Sequence, residues 1–393
     1  MESICLTNAV IVLEDGVIED GFLLMVEDKI VSYGMMEDCP AGHRQFDCTG
    51  RVVMPGMIDI HVHGAGGSDF MDAVPAAFDT ISQTLVKEGT TGYLATTMTN
   101  PANRIKEAVS AIAAYRLAGD QSGMAEMIGI HLEGPFINPA QKGAQPERHI
   151  HSPDITLFDE WQEAAKGLIR IVTFAPELDK DHVFLQELTK RGVIGSMGHT
   201  DATYEEATYA IGEGVTHATH LFNGMKGLHH REPGVVGAAL LDENVHVELI
   251  PDGLHFHPDL LKMVVKMKGI DKMIVISDGI RAKGMPDGEY DLGGSTVVVR
   301  KGKCTLQDGV SLAGSIVTMN KARMNMAEWL GLTLWEQARI TSLNQAKRLG
   351  VDNRKGSLAV GKDADVFVVD EDGEVGMTIC KGIIAYLRDG GCE

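Results

Sequence analysis

Eight short apolar runs in the middle of this chain have strand length, and they end near His63, Thr97, Glu133, Phe174, His199, His220, Ile250 and Asp278. Amphipathic stretches of helical period lie between most of them, most plainly at 78–88, 103–117, 181–191, 203–213 and 258–268. Strands that alternate with helices pair in parallel. Eight such units predict an α/β fold, a (β/α)8 TIM-like barrel, whose chemical groups stand at the carboxyl ends of the strands.

At both ends of the chain the texture changes. Residues 1–54 alternate apolar and polar residues in runs broken by Asp15-Gly16, Asp20-Gly21 and Asp28-Lys29, and the pattern returns over 364–370, at Asp372-Gly373 and over 377–387. These segments predict a small β-sandwich made from 1–54 and 357–393, flanking a barrel over 55–356. A β-rich insertion is expected at about 285–312, followed by closing helices near 315–330 and 334–348. The 393 residues supply core enough for both units.

Charge narrows the choice of partner. Lys and Arg number 35 against 55 Asp and Glu, a formal net charge of −20, which argues against nucleic acid or an anionic membrane surface. An anionic ligand must then meet a local basic patch. The six cysteines (Cys5, Cys39, Cys48, Cys304, Cys380, Cys392) form no C-x-x-C pair and read as reduced thiols. No basic-then-apolar leader opens the sequence and no apolar run reaches membrane-spanning length, so a cytoplasmic location is expected.

Asp59-Ile60-His61-Val62-His63 closes the first strand with two imidazoles at i and i+2. Strand alternation puts them on one face, side by side, as neutral nitrogen donors suited to a metal. Glu133 ends the third strand, His199 the fifth, His220 the sixth and Asp278 the eighth, so four imidazoles and two carboxylates converge on one mouth. Core packing has no reason to choose that pattern. His131 is expected one layer below Glu133, as a supporting or packing residue. His217, three before His220, is expected on the opposite face of its strand as a structural residue, and His43, His182 and His246 read as ordinary surface or core residues.

The combination of His-x-His with His131-Leu132-Glu133-Gly134-Pro135-Phe136, Gly198-His199-Thr200, Thr219-His220-Leu221-Phe222-Asn223, Arg231-Glu232-Pro233-Gly234, Asp252-Gly253-Leu254-His255 and Ser277-Asp278-Gly279 resembles the N-acetylglucosamine-6-phosphate deacetylase family of the amidohydrolase superfamily over essentially the whole chain. The resemblance implies one divalent metal on Glu133, His199 and His220. Because His61 and His63 are both present, it implies a second metal bridged by Glu133. Imidazole and carboxylate ligands suit zinc, iron, manganese or cobalt, with zinc or iron favoured. No lysine ends the fourth strand, where Arg170-Ile171-Val172-Thr173-Phe174 runs instead, so a carboxylated-lysine bridge is disfavoured.

The same resemblance implies hydrolysis of the acetamide of N-acetyl-D-glucosamine 6-phosphate to D-glucosamine 6-phosphate and acetate, in amino sugar catabolism and recycling. Asp278 would exchange the proton between water and the leaving amine, as a metal ligand as well. The implied substrate contacts are Ala144, Gln145, Asn223, Gly224, Arg231, His255, Leu312, Ala313 and Gly314, with a homodimer whose phosphate loop lies near the subunit contact. Two other readings stand beside this one: an amidohydrolase for another N-acyl sugar, such as N-acetylgalactosamine 6-phosphate, and a barrel that serves as a non-catalytic scaffold. The scaffold reading calls for missing ligands, and none is missing.

Overall fold

The computed structural model of the protein describes residues 3–119 and 122–392, so the outermost residues of the expected terminal unit, Met1, Glu2 and Glu393, lie outside it. Eight parallel strands form the barrel in sequential order: Met57–Val62, Thr90–Thr97, Glu126–Glu133, Ile169–Phe174, Ile194–Met197, His217–Ala218, His246–Leu249 and Met273–Val275. The last and first strands meet beyond their ends. Val62 bridges Gly279 in parallel, the Asp278 N–H donates to the His61 carbonyl at 2.9 Å, and the His63 N–H donates to the Gly279 carbonyl at 2.7 Å. Closure is therefore made by the same residues that carry the candidate ligands.

Around the barrel, helices Pro75–Val86, Ala102–Ala118, Val183–Lys190, Tyr204–Gly212 and Leu260–Lys268 fall where the apolar period puts them, joined by Ile155–Ala164 and Gly234–Leu241. Two of them start with side-chain caps. Thr203 accepts from the Glu206 N–H while Glu206 reaches back to Thr203, and Asp154 accepts from the N–H groups of Thr156 and Leu157. Helix Gly234–Leu241 is buried on every side except Leu241, so it lacks the polar stripe that would mark it in sequence. Three antiparallel strands, Gly288–Leu292, Ser295–Arg300 and Lys303–Leu306, form the insertion.

The terminal segments share one eight-stranded sheet. Val52–Pro55 pairs antiparallel with Val366–Val369, joining the two ends of the chain, and Leu6, Ile11, Leu23, Met25, Val53, Val366, Val368 and Met377 close on a common core. Asp20-Gly21 is no turn. It lies inside the strand Val17–Val26, where Gly21 is opposite Ala9 and a Cβ would come within 2.8 Å of the Ile11 side chain. Close approach across the sheet, and not a reversal, explains this glycine.

A buried ion network ties this sheet to the base of the barrel. Lys355, 2% exposed, pairs with Glu126 at 2.9 Å and Asp363 at 3.3 Å and also with Asp365, while Arg354 adds bonds to Glu126 and Asp363. Burial pushes the Glu126 carboxyl up, but Lys355, Arg354 and Lys381 outweigh it and hold it far below the usual range; Asp363 moves the same way. Lys355→Met should destabilise the protein by about 3–5 kcal/mol in urea unfolding near pH 7, since it strands buried carboxylates. Groups with depressed folded values stabilise above their unfolded values and lose that contribution as pH falls through the folded ones. The deficit should accordingly narrow below about pH 4, and an unchanged deficit there would show that the charge network is not its source.

Candidate metal centre and active site

Glu133 is the hub of the mouth. Its Oε1 lies 3.4, 3.2 and 3.1 Å from the Nε2 atoms of His61, His199 and His220, and its Oε2 lies 3.3 Å from Nε2 of His63. Asp278 completes the group, with Oδ1 at 3.5 Å from Nε2 of His61 and 3.4 Å from Nε2 of His63. All six side chains are buried. The expected set is thus brought together, and it forms two triplets that share Glu133: His61, His63 and Glu133, and Glu133, His199 and His220.

The tautomers favour a cation between these atoms. His199 Nδ1 lies 2.8 Å from the Gln141 carbonyl, His220 Nδ1 lies 3.1 Å from the Asn223 carbonyl, and His61 Nδ1 lies 3.0 Å from the Glu248 carboxylate. Each outer partner is an acceptor, so each Nδ1 carries the proton and each Nε2 turns a lone pair inward. Nε2 of His199 and His220 then face one another at 3.2 Å, and Nε2 of His61 makes no hydrogen bond. Lone pairs crowded on a carboxylate repel unless a proton or a metal ion lies between them; the donor set fits a divalent metal. Protons fill that role when metal is absent. Burial lowers His63, yet Asp278 and Glu133 overcome it and raise the imidazole to about 9. Burial likewise opposes the charge on Glu133, but His61 and His199 hold it well below the carboxylate range.

Three of these side chains reach the mouth through unusual backbone. Their strands stop at Met197, Ala218 and Val275, before His199, His220 and Asp278, which take left-handed φ values of 48°, 32° and 47°. Such a conformation costs about 1–2 kcal/mol per residue, and flanking bonds hold it, among them Asn138 N–H to the His199 carbonyl and Ser315 N–H to the Asp278 carbonyl, both 2.8 Å. Because His220 lies past the strand, its parity with His217 is lost, and the expectation for His217 is corrected: its side chain points inward, with Nε2 3.0 Å from Glu248. His131 does lie deeper, between the Ile60 carbonyl and the Thr173 hydroxyl, and burial beside His61 lowers it to about 3, a neutral ring. Sequence reasoning misses Glu248. It is a lone charge inside the apolar run Val245-His246-Val247-Glu248-Leu249, a signal the sequence does contain.

The adjoining cavity is lined by Ala144, Gln145, Asn223, Gly224, His255, Leu312 and Gly314 together with all of the cluster but the fully buried His61. Gln145 faces the hub, donating to Glu133 Oε2 at 2.6 Å while its oxygen accepts from the Thr99 N–H. His255 is held by Asp252 at 2.7 Å through Nδ1. Gly224 is required twice over, by its φ of 57° and because a Cβ there would meet His199 Nδ1 at 3.0 Å. Two expected contacts lie elsewhere. Ala313 is buried in the core under the insertion, and Arg231 is on an exposed loop with its guanidinium against His230.

The amidohydrolase family profile matches residues 52–384. An N-acetylglucosamine-6-phosphate deacetylase of Bacillus subtilis (strain 168) is 43% identical over 388 residues, 98% of each chain. An N-acetylgalactosamine-6-phosphate deacetylase of Escherichia coli O157:H7 is 35% identical over 357 residues, 91% of this chain and 92% of the other. Among solved structures, a mutant N-acetyl-D-glucosamine-6-phosphate deacetylase from Mycobacterium smegmatis, in complex with N-acetyl-D-glucosamine-6-phosphate, superimposes with a TM-score of 0.92 at 30% identity, covering 98% of this chain and all of that one.

With His63 held near 9, the metal-free protein at pH 7 carries a proton that a metal must displace. Zinc titrated calorimetrically in buffers of different ionisation enthalpy should show proton release at pH 7 that lessens as pH rises past about 9, where His63 gives up its proton. Heats independent of buffer would show that His63 holds no proton for the metal to displace.

Proposed function

The chain belongs to the amidohydrolase family, and from that premise we propose that it hydrolyses the acetamide of N-acetyl-D-glucosamine 6-phosphate to D-glucosamine 6-phosphate and acetate. The observation that carries this reading is the hub itself, one buried carboxylate shared by four imidazoles with Asp278 beside it, at the mouth of a cavity. Glu133, His199 and His220 hold one divalent ion, and His61, His63 and Glu133 a second, with zinc or iron favoured. A divalent ion at this place supplies Lewis acidity, which makes water a nucleophile near neutral pH and polarises the acetyl oxygen.

The chain's own groups do the rest. Asp278 is buried, which would raise its carboxyl, but His61 and His63 outweigh burial and keep it ionised, ready to accept a proton from the attacking water. Returned to the glucosamine nitrogen, that proton turns a poor leaving group into a neutral amine. His255, held by Asp252, contacts the acetyl oxygen or a sugar hydroxyl, and Asn223 and the Gly224 backbone, which line the same cavity, are assigned to the sugar phosphate. Gln145 orients Glu133 and so acts on the substrate through the centre. Arg231, outside the cavity of its own chain, is assigned to the phosphate in a homodimer that brings its exposed loop to a neighbouring cavity. A cytoplasmic location is part of the same proposal.

Purified protein loaded with zinc should release acetate from N-acetyl-D-glucosamine 6-phosphate, and Asp278→Asn should lower kcat by roughly 10² or more with KM little changed, because an amide cannot carry the proton. Retention of more than about a tenth of normal kcat would remove Asp278 from the proton path. Selectivity tests the phosphate reading. A charge-assisted hydrogen bond contributes about 1.5–3 kcal/mol, a factor of roughly 10–150, so Arg231→Ala should cut kcat/KM for the phosphorylated sugar by about that much and leave the unphosphorylated sugar unaffected. Equal loss on both would mean that the loop is merely structural. The N-acetylgalactosamine-6-phosphate relative makes the C4 epimer the proper competitor: a higher kcat/KM on that sugar would favour the second reading.

A further inference from the structure

Glu248 is a fully buried carboxylate on the seventh strand, outside both ligand triplets that share Glu133, and all its partners are donors. One oxygen lies 3.0 Å from His217 Nε2. The other lies 3.0 Å from His61 Nδ1 and accepts from the His220 N–H at 3.2 Å. Glu248 thus touches one candidate ligand from each side of the hub, but through different atoms. For His220 it holds the backbone, while the ring is set independently by the Asn223 carbonyl. For His61 it is the sole polar contact of Nδ1 among the described residues. With Nδ1–H committed to a carboxylate, Nε2 is the ring nitrogen that His61 turns toward Glu133 and Asp278 for a metal, and it has no hydrogen bond among the described residues.

We propose that Glu248, braced by His217, is the positioning residue that fixes the His61 tautomer and thereby determines whether the His61–His63 position holds a metal, independently of the His199–His220 position. The proposal rests on the two-metal reading above. Outer partners of ligating histidines change metal affinity by about 10–100-fold. Here the effect is confined to one of two positions, since His199 and His220 take their tautomers from the Gln141 and Asn223 carbonyls and not from Glu248.

Two variants separate the tautomer effect from simple loss of packing. Glu248→Leu keeps the bulk and removes the acceptor. Glu248→Gln keeps an acceptor: its oxygen can face His61 Nδ1–H and the His220 N–H, and its NH2 can face His217, whose Nδ1 has no partner and is free to take the ring proton. Zinc affinity at each position, measured by chelator competition, should fall about 10–100-fold at one position in Glu248→Leu and be unchanged at the other, with Glu248→Gln much nearer the unaltered protein. In the full-length metal-free chain labelled with 15N-histidine, taken to a pH at which His61 keeps a single ring proton, His61 should show the Nδ1–H pattern, retained in Glu248→Gln and lost to a mixture or to Nε2–H in Glu248→Leu.

Equal weakening of both positions, or of neither, would overturn the proposal, as would an Nε2–H pattern for His61 in the unaltered protein. If Glu248→Leu fails to fold, the unaltered and Glu248→Gln proteins still decide the tautomer. Should the unaltered, zinc-replete protein bind a single ion, the two-metal reading fails, and the 15N pattern still tells whether Glu248 sets the His61 ring.

Discussion

Everything at the mouth depends on keeping the Glu133 carboxylate ionised although it is almost wholly buried. An unpaired charge at that depth is heavily penalised, and four imidazole nitrogens within 3.1–3.4 Å offset it through the protons they carry without metal or the cation they would hold. Those nitrogens can serve a metal only while they stay unprotonated, which an acceptor behind the ring secures for three of the four. The structure provides a carbonyl for His199 and for His220 and a carboxylate for His61. Further layers follow from that need: the loop bearing Gln141, the turn at Asn223 and the seventh-strand Glu248 all exist in register with one glutamate.

The seam between the eighth and first strands meets the same demand. Asp59 accepts from the Ser277 hydroxyl at 2.5 Å and from the N–H groups of Ser277 and His61, and below it Lys283, 1% exposed, pairs with Glu88 at 2.6 Å. A buried network of this kind is weak evidence for stability, but it specifies a register. Here it aligns His61 and Asp278, two residues apart from Asp59 and one from Ser277. The left-handed turns at His199, His220 and Asp278 add strain at the candidate metal centre, and the bonds around them keep the chain in place.

Much of this is legible in the sequence, for reasons that can be named. Strand and helix periods are local, so all eight barrel strands and the helices with a polar stripe can be read directly; helix Gly234–Leu241 cannot, being apolar all round. The strand-end ligands are legible because core packing rarely closes an apolar run with a histidine or a carboxylate, whereas a site at the barrel mouth requires one there. Parity arguments fail where the chain leaves the strand: His217 is expected on the wrong face because His220 bends through a left-handed residue. Asp20-Gly21 reads as a turn since turn chemistry and close packing use the same residue.

The sequence by itself determined the barrel, the inventory of candidate ligands and, through its motifs, the family. Which nitrogen of each histidine faces the centre, that Gln145 turns to Glu133, that Arg231 stands outside its own cavity, and that Glu248 lies behind His61 were decided only by tertiary structure. Period and residue type are properties of a few neighbouring positions. A hydrogen bond between residues 187 apart is a property of the closed barrel, and nothing in either segment alone announces it.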